Sequence, residues 1–89
     1  MAVQQTSILS FKATLPTLSH KQSVMYEAFK KVKAPVTDRD LTKILGWPIN
    51  TVTPRRGELE KLGHITQAGY TFDLETNRHT KTWRLTRRQ

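Results

Sequence analysis

The hydrophobic period of this 89-residue chain changes once, at Gly63–His64, and that change restricts the fold more than any other feature. Before it, apolar side chains return every three or four positions, the spacing that gives a helix one apolar stripe. After it they alternate, the spacing of a strand with one covered face. Helices first and a hairpin last make an α+β order in which one small sheet closes the side of a helical core.

The helical part divides at its own stop signals. Ser19 with Gln22 three residues on has capping-box spacing, and Val24, Met25, Ala28, Phe29 and Val32 then fall on one face, so a first helix is predicted from Ser19 to Ala34–Pro35. Thr37 with Asp40 repeats the capping spacing. Leu41, Ile44 and Leu45 form the stripe of a short second helix, and Gly46 supplies a left-handed stop. Trp47-Pro48-Ile49-Asn50 reads as a compact turn. A third helix is expected over Thr51 to Leu62, with Val52, Leu59 and Leu62 inward and Gly63 closing it. Pro54 fits only near a first turn, because it has no N–H and its ring crowds the carbonyl four residues back. A second register, with Thr53 as N-cap and Pro54 as the first helical residue, therefore stays open.

Beyond His64, Ile65 opens a strand in which Tyr70, Phe72 and Leu74 alternate with Thr71, Asp73 and Glu75. Trp83 and Leu85 alternate with Thr82, Arg84 and Thr86 on the return, and Thr76-Asn77-Arg78 forms the tip. Gly69 marks a bulge or bend. Trp47, Trp83, Tyr70 and Phe72 read as core or staple residues in preference to base-stacking platforms. Residues 1–18, with scattered apolar positions and Pro16, are expected to be a partly ordered arm that packs a side chain or two on the core. Residues 19–86 form the domain, and 87–89 a basic tail.

Charge points to the partner. Fifteen Lys and Arg against seven Asp and Glu give a formal +8, a surplus that draws polyanions toward so small a surface. No cysteine is present, so disulfide, thiolate-metal and cysteine-nucleophile chemistry are excluded. No run approaches the roughly 20 apolar residues that span a bilayer. The amino end lacks the basic-then-apolar pattern of a signal peptide, so a cytoplasmic protein with no membrane partner is expected.

Two helices joined by a short glycine-containing turn, the second polar and basic, form a helix-turn-helix, and a hairpin with a basic tip adds a wing. Thr51, Arg55 and Glu58 recur at intervals of four and three on the third helix and share a face. Asn50 and Thr53 flank its amino end, where they either cap the helix or bond phosphates and bases. Arg55 has the fork to address a guanine edge, with a plain surface charge as its alternative, and Glu58 either accepts from a cytosine amino group or is solvated. Arg78 at the wing tip, with Lys81 and Arg84 on the strand, is placed to meet phosphate or a minor groove. The last two serve equally as charges that guard an edge strand.

The segment Trp47-Pro48-Ile49-Asn50-Thr51-Val52-Thr53-Pro54-Arg55-Arg56-Gly57-Glu58-Leu59, followed by Leu62-Gly63-His64-Ile65, resembles small winged helix-turn-helix proteins of phage and bacterial type. Asn77 to Leu85 is similar to their second wing strand, and the likeness runs from about Ser19 to Thr86. It implies a three-helix fold with a carboxy-terminal wing. It also implies duplex-DNA contacts from Thr51, Thr53, Arg55 and Arg78, and a proline accommodated at position 54. Arg56 stands where that pattern has an aliphatic residue, so either it snorkels outward and joins the contact surface or the helix is rotated. Gly57 costs about 1 kcal/mol of helix propensity relative to alanine.

His20, His64 and His79 have no zinc spacing and no phosphate loop is present, so neither an enzyme nor a cofactor or metal is expected. The expected function is duplex-DNA binding in transcriptional or replication control, with a homodimer or protein partner left open. The rivals are a winged helix used for protein contact with little DNA binding, and an RNA binder.

Overall fold

The computed structural model describes residues 17–86. Of the expected arm over 1–18, Thr17 and Leu18 are described, and Leu18 packs against the core. The rest of the arm and the tail at 87–89 lie outside the described residues. Within them the elements are α1 (His20–Lys31), α2 (Asp38–Leu45), α3 (Ile49–Lys61), β1 (Ile65–Asp73) and β2 (Arg78–Leu85). Three helices followed by a two-stranded antiparallel hairpin give an α+β, winged-helix arrangement.

The capping signals are used as the sequence spells them. Ser19 and Gln22 close a reciprocal box at the start of α1, and Thr37 and Asp40 close one at the start of α2, so each satisfies two otherwise orphaned N–H groups. Gly46 ends α2 with φ of 71°, the left-handed region that a Cβ disfavours. The bulge falls where Gly69 suggests, with the strand register shifting between Gln67 and Gly69. A bridge from Val36 to Trp83, with N–H to O distances of 2.9 and 2.7 Å, fastens the α1–α2 connection to β2. Met25, Phe29, Val36, Leu41, Val52, Leu59, Ile65 and Trp83 are buried together as the core.

Four expectations are corrected. First, α1 ends at Lys31 with Val32 as its cap, before Ala34–Pro35, because the chain turns extended to make the Val36 bridge. Second, α3 begins at Ile49, earlier than either expected register, capped by Pro48, whose carbonyl accepts from Thr51 and Val52. Pro54 is thus inside the helix, beyond its first turn. It lies on the exposed side of the helix, and Asn50, whose carbonyl it leaves without a helical donor, is itself an exposed residue. Third, Ile44 and Leu62 are exposed rather than inward, since Leu41 and Leu59 already fill the space between the helices. Fourth, Tyr70 and Phe72 are exposed at 65% and 44%, not core residues, because the helical core ends at Trp83 and the outer half of the hairpin projects past it.

Candidate nucleic-acid interface

The third helix is fixed on three sides, and those fixings decide which face is free. Val52 and Leu59 point into the core. On the α2 side, Arg56 grips Asp38 with two parallel bonds, Nε to Oδ1 at 2.9 Å and Nη2 to Oδ2 at 3.0 Å, and reaches Glu60 at 3.2 Å. Its guanidinium carbon lies 4.1 Å from the centre of the Trp83 ring. With 15% of its side chain exposed, Arg56 ties α3 to both α2 and β2. It neither snorkels to water nor shows its fork to the surface, and this resolves the departure noted in the sequence. Thr53 donates its hydroxyl to the same Asp38 at 3.0 Å.

On the α1 side, Gln22 donates Nε2 to Glu58 at 2.7 Å while its Oε1 completes the Ser19 box, so one amide sets both the start of α1 and the lean of α3. Arg55 pairs with the other oxygen of Glu58 at 2.8 Å and is 32% exposed. Its Nε is buried without a hydrogen-bond partner. The Gln22 amide, then the Arg55 guanidinium, holds the Glu58 carboxyl below its ordinary pKa against the opposing cost of desolvation. Thr51, Arg55 and Glu58 do share one stripe, as their spacing requires, but that stripe is the half-buried shoulder against α1.

The face opposite Val52 and Leu59 carries Asn50, Thr53, Pro54, Gly57 and Lys61, the i, i+3, i+4, i+7 and i+11 positions of one stripe. Asn50, Thr53, Pro54 and Lys61 are exposed, and a Cβ at Gly57 would meet nothing within 4 Å. Glu60, seven residues from Thr53, borders this stripe as its one carboxylate and is engaged by Arg56 at 3.2 Å. The helix start has no side-chain cap, which leaves the Ile49 and Asn50 amides at its exposed, positively polarised end. Lys61 was not singled out in the sequence, and Gly57 only as a weak helix former. Their signal is the count of four and seven residues from Thr53 and Asn50, which becomes readable once Val52 and Leu59 fix the inner side.

The wing is held from behind. Arg39 of α2 bonds Asp73 at 3.2 Å and Glu75 at 3.1 Å, and Lys43 reaches Glu75 at 3.3 Å. The Glu75 amide, followed in weight by the Arg39 charge, keeps the Asp73 carboxyl below its ordinary pKa against desolvation. Asn77 takes the left-handed conformation at the tip, φ 57°, and Arg78 beside it is exposed. Lys81 is exposed and Arg84 half-buried, with Nη1 donating to the Leu85 carbonyl at 3.2 Å. Among the described residues Lys61, Arg78 and Lys81 make no ion pair, whereas Arg39, Lys43, Arg55 and Arg56 all do. The structure therefore separates the expected cations into a bound inner set and a free outer set. It brings Asn50 and Thr53 together on α3, leaves Thr51 and Arg55 on the shoulder, and keeps Arg78 and Lys81 on the wing.

Among the described residues no three His, Asp or Glu side chains gather as metal ligands, and no helix is long and apolar enough to cross a membrane. The fold and these fixings define the class as a winged-helix protein with a braced, outward-facing third helix. No protein family, curated protein or solved structure matches the chain.

Proposed function

We propose that the protein binds duplex DNA and acts as a transcription or replication regulator of phage or prophage type in the cytoplasm of the bacterial cell, without chemistry or a cofactor of its own. Support comes first from the outward stripe of α3. It is polar, ends in a lysine that makes no ion pair, has its one bordering acid, Glu60, engaged by Arg56, and is rigidly backed by Asp38, Arg56 and Trp83. A helix about 10–12 Å across fits a major groove about 12 Å wide, and a bare Gly57 with the flat ring of Pro54 beside it lets the backbone approach closely. Asn50 is then the base reader, and the Thr53 hydroxyl, which donates to Asp38, is left to accept from a base amino group. The uncapped Ile49 and Asn50 amides take a phosphate, and Lys61, Arg78 and Lys81 take phosphates along the two flanks. Arg56 holds the helix and Arg55 steadies its shoulder.

The test is fluorescence polarisation on duplexes selected from a random pool. Affinity should fall log-linearly with salt. Asn50→Ala should cost about 1–3 kcal/mol on the preferred duplex and less on others. Lys61→Ala and Arg78→Ala should weaken all duplexes alike, each flattening the salt slope by about 1. The competing reading, a protein-contact module, is favoured by exposed Ile44 and Ile49 near the turn. Binding to every duplex that is absent or indifferent to salt would select it.

A further inference from the structure

The outer hairpin carries rings where a solvent-facing ribbon is normally polar. Tyr70 and Phe72 are two residues apart on β1 and share a face. Across the strands Tyr70 stands opposite Lys81 and Phe72 opposite His79, whose ring meets Phe72 edge-on at 5.3 Å. The only two carboxylates of the hairpin, Asp73 and Glu75, are drawn to α2 by Arg39 and Lys43. The ring-bearing face is thus left with Lys81 as a cation that makes no ion pair, while Arg78, opposite Asp73 in the register, belongs to the other face.

We infer that this face binds single-stranded DNA, by stacking unpaired bases on Tyr70 and Phe72 and holding a phosphate with Lys81. Aromatic faces accept any base, and cations beside them neutralise the backbone. Residues two apart on a strand are separated by about 6.6–6.8 Å, about twice the 3.4 Å advance per nucleotide in a duplex strand. The two rings therefore suit bases splayed apart, not a stacked helix. A twofold contact between copies would instead bring two copies of Lys81 into one small interface, a like-charge approach that the rings alone would have to offset. The site shares Lys81 with the wing flank of the proposed duplex surface, but its rings are separate from the α3 stripe, so losing Tyr70 or Phe72 tests it apart from α3.

The experiment uses the full chain and a short fluorescein-labelled oligothymidylate, read by polarisation at low salt and by sedimentation velocity. Tyr70→Ser and Phe72→Ser should each lower oligothymidylate affinity about 5- to 150-fold, and Tyr70→Phe should retain it. Lys81→Gln should flatten the salt dependence. Both rings are exposed, so the serine variants should melt near the parent temperature. Lys61→Ala should leave oligothymidylate binding intact while weakening duplex binding, which separates this site from α3. The inference is overturned if the protein does not bind oligothymidylate, or if binding survives both serine substitutions. A concentration-dependent dimer that Phe72→Ser abolishes would also overturn it, by showing the face to be a contact between copies.

Discussion

Replacing Arg56 with methionine tests the bracing of α3 directly, because methionine keeps most of the volume over Trp83 and removes the guanidinium. Arg56 and Asp38 are only 15% and 19% exposed, so water screens their pair incompletely. Hydrogen bonds to charged groups contribute about 1.5–3 kcal/mol net, and the stack on Trp83 about 0.5–1 kcal/mol. Allowing for the packing that methionine restores and the residual hydration of Asp38, the loss should be about 2–4 kcal/mol. A domain of this size has about 4–13 kcal/mol in all, and the midpoint should drop by roughly 10–30 °C. Urea unfolding of Arg56→Met, Asp38→Asn and the double variant should give a coupling energy of about 1–3 kcal/mol. Arg55→Ala is the control: its pair with Glu58 is an i,i+3 pair at 32% and 40% exposure and should be worth less than about 1 kcal/mol. If Arg56→Met costs no more than Arg55→Ala, or the coupling lies within error of zero, Arg56 does not fix the helix.

Gly57→Ala should raise unfolding stability by about 0.5–1 kcal/mol, since the new Cβ meets open space, and should weaken duplex binding by obstructing close approach; calorimetry and polarisation on one preparation read both. Leu59→Ala, at a fully buried core position, should cost about 2–5 kcal/mol in urea unfolding. The lowered pKa values of Glu58 and Asp73 mean that the unfolded chain binds more protons as acid is added. The stability they contribute is present above the ordinary carboxylate pKa of about 4 and is lost as pH falls through their lower folded values. Melting temperature should thus hold steady toward that range from neutrality and decline below it, with a smaller acid decline in Glu58→Gln.

Local chemistry explains which parts of this molecule can be read from its sequence. The boxes at Ser19–Gln22 and Thr37–Asp40, the stop at Gly46 and the bulge at Gly69 each involve residues a few positions apart, so spacing alone identifies them. The start of α3 was not legible in the same way. Pro54 argues for a later start by local rules, and it is overridden because Val52 and Leu59 pack from the far side and Arg56 anchors the α2 side. Tyr70 and Phe72 alternate as core residues do, yet alternation gives the face and not its covering. Only the polar side chains Arg39 and Lys43 of α2 reach that far along the hairpin, and they bind its carboxylates instead of covering the rings. At the interface, Asn50, Thr53 and Arg78 were visible as exposed polar positions. The division between free and bound cations was not, because Arg56 and Arg55 are claimed by Asp38 and Glu58, and the first of those pairs spans eighteen residues.

The most direct test of duplex binding through the outward stripe of α3 is amide chemical-shift mapping of the full chain, titrated with a selected duplex. The account predicts that the largest changes fall at Asn50, Thr53, Gly57 and Lys61, with a second group at Arg78. Changes confined to Ile44 and the solvent face of α1, with the α3 stripe unmoved, would contradict it.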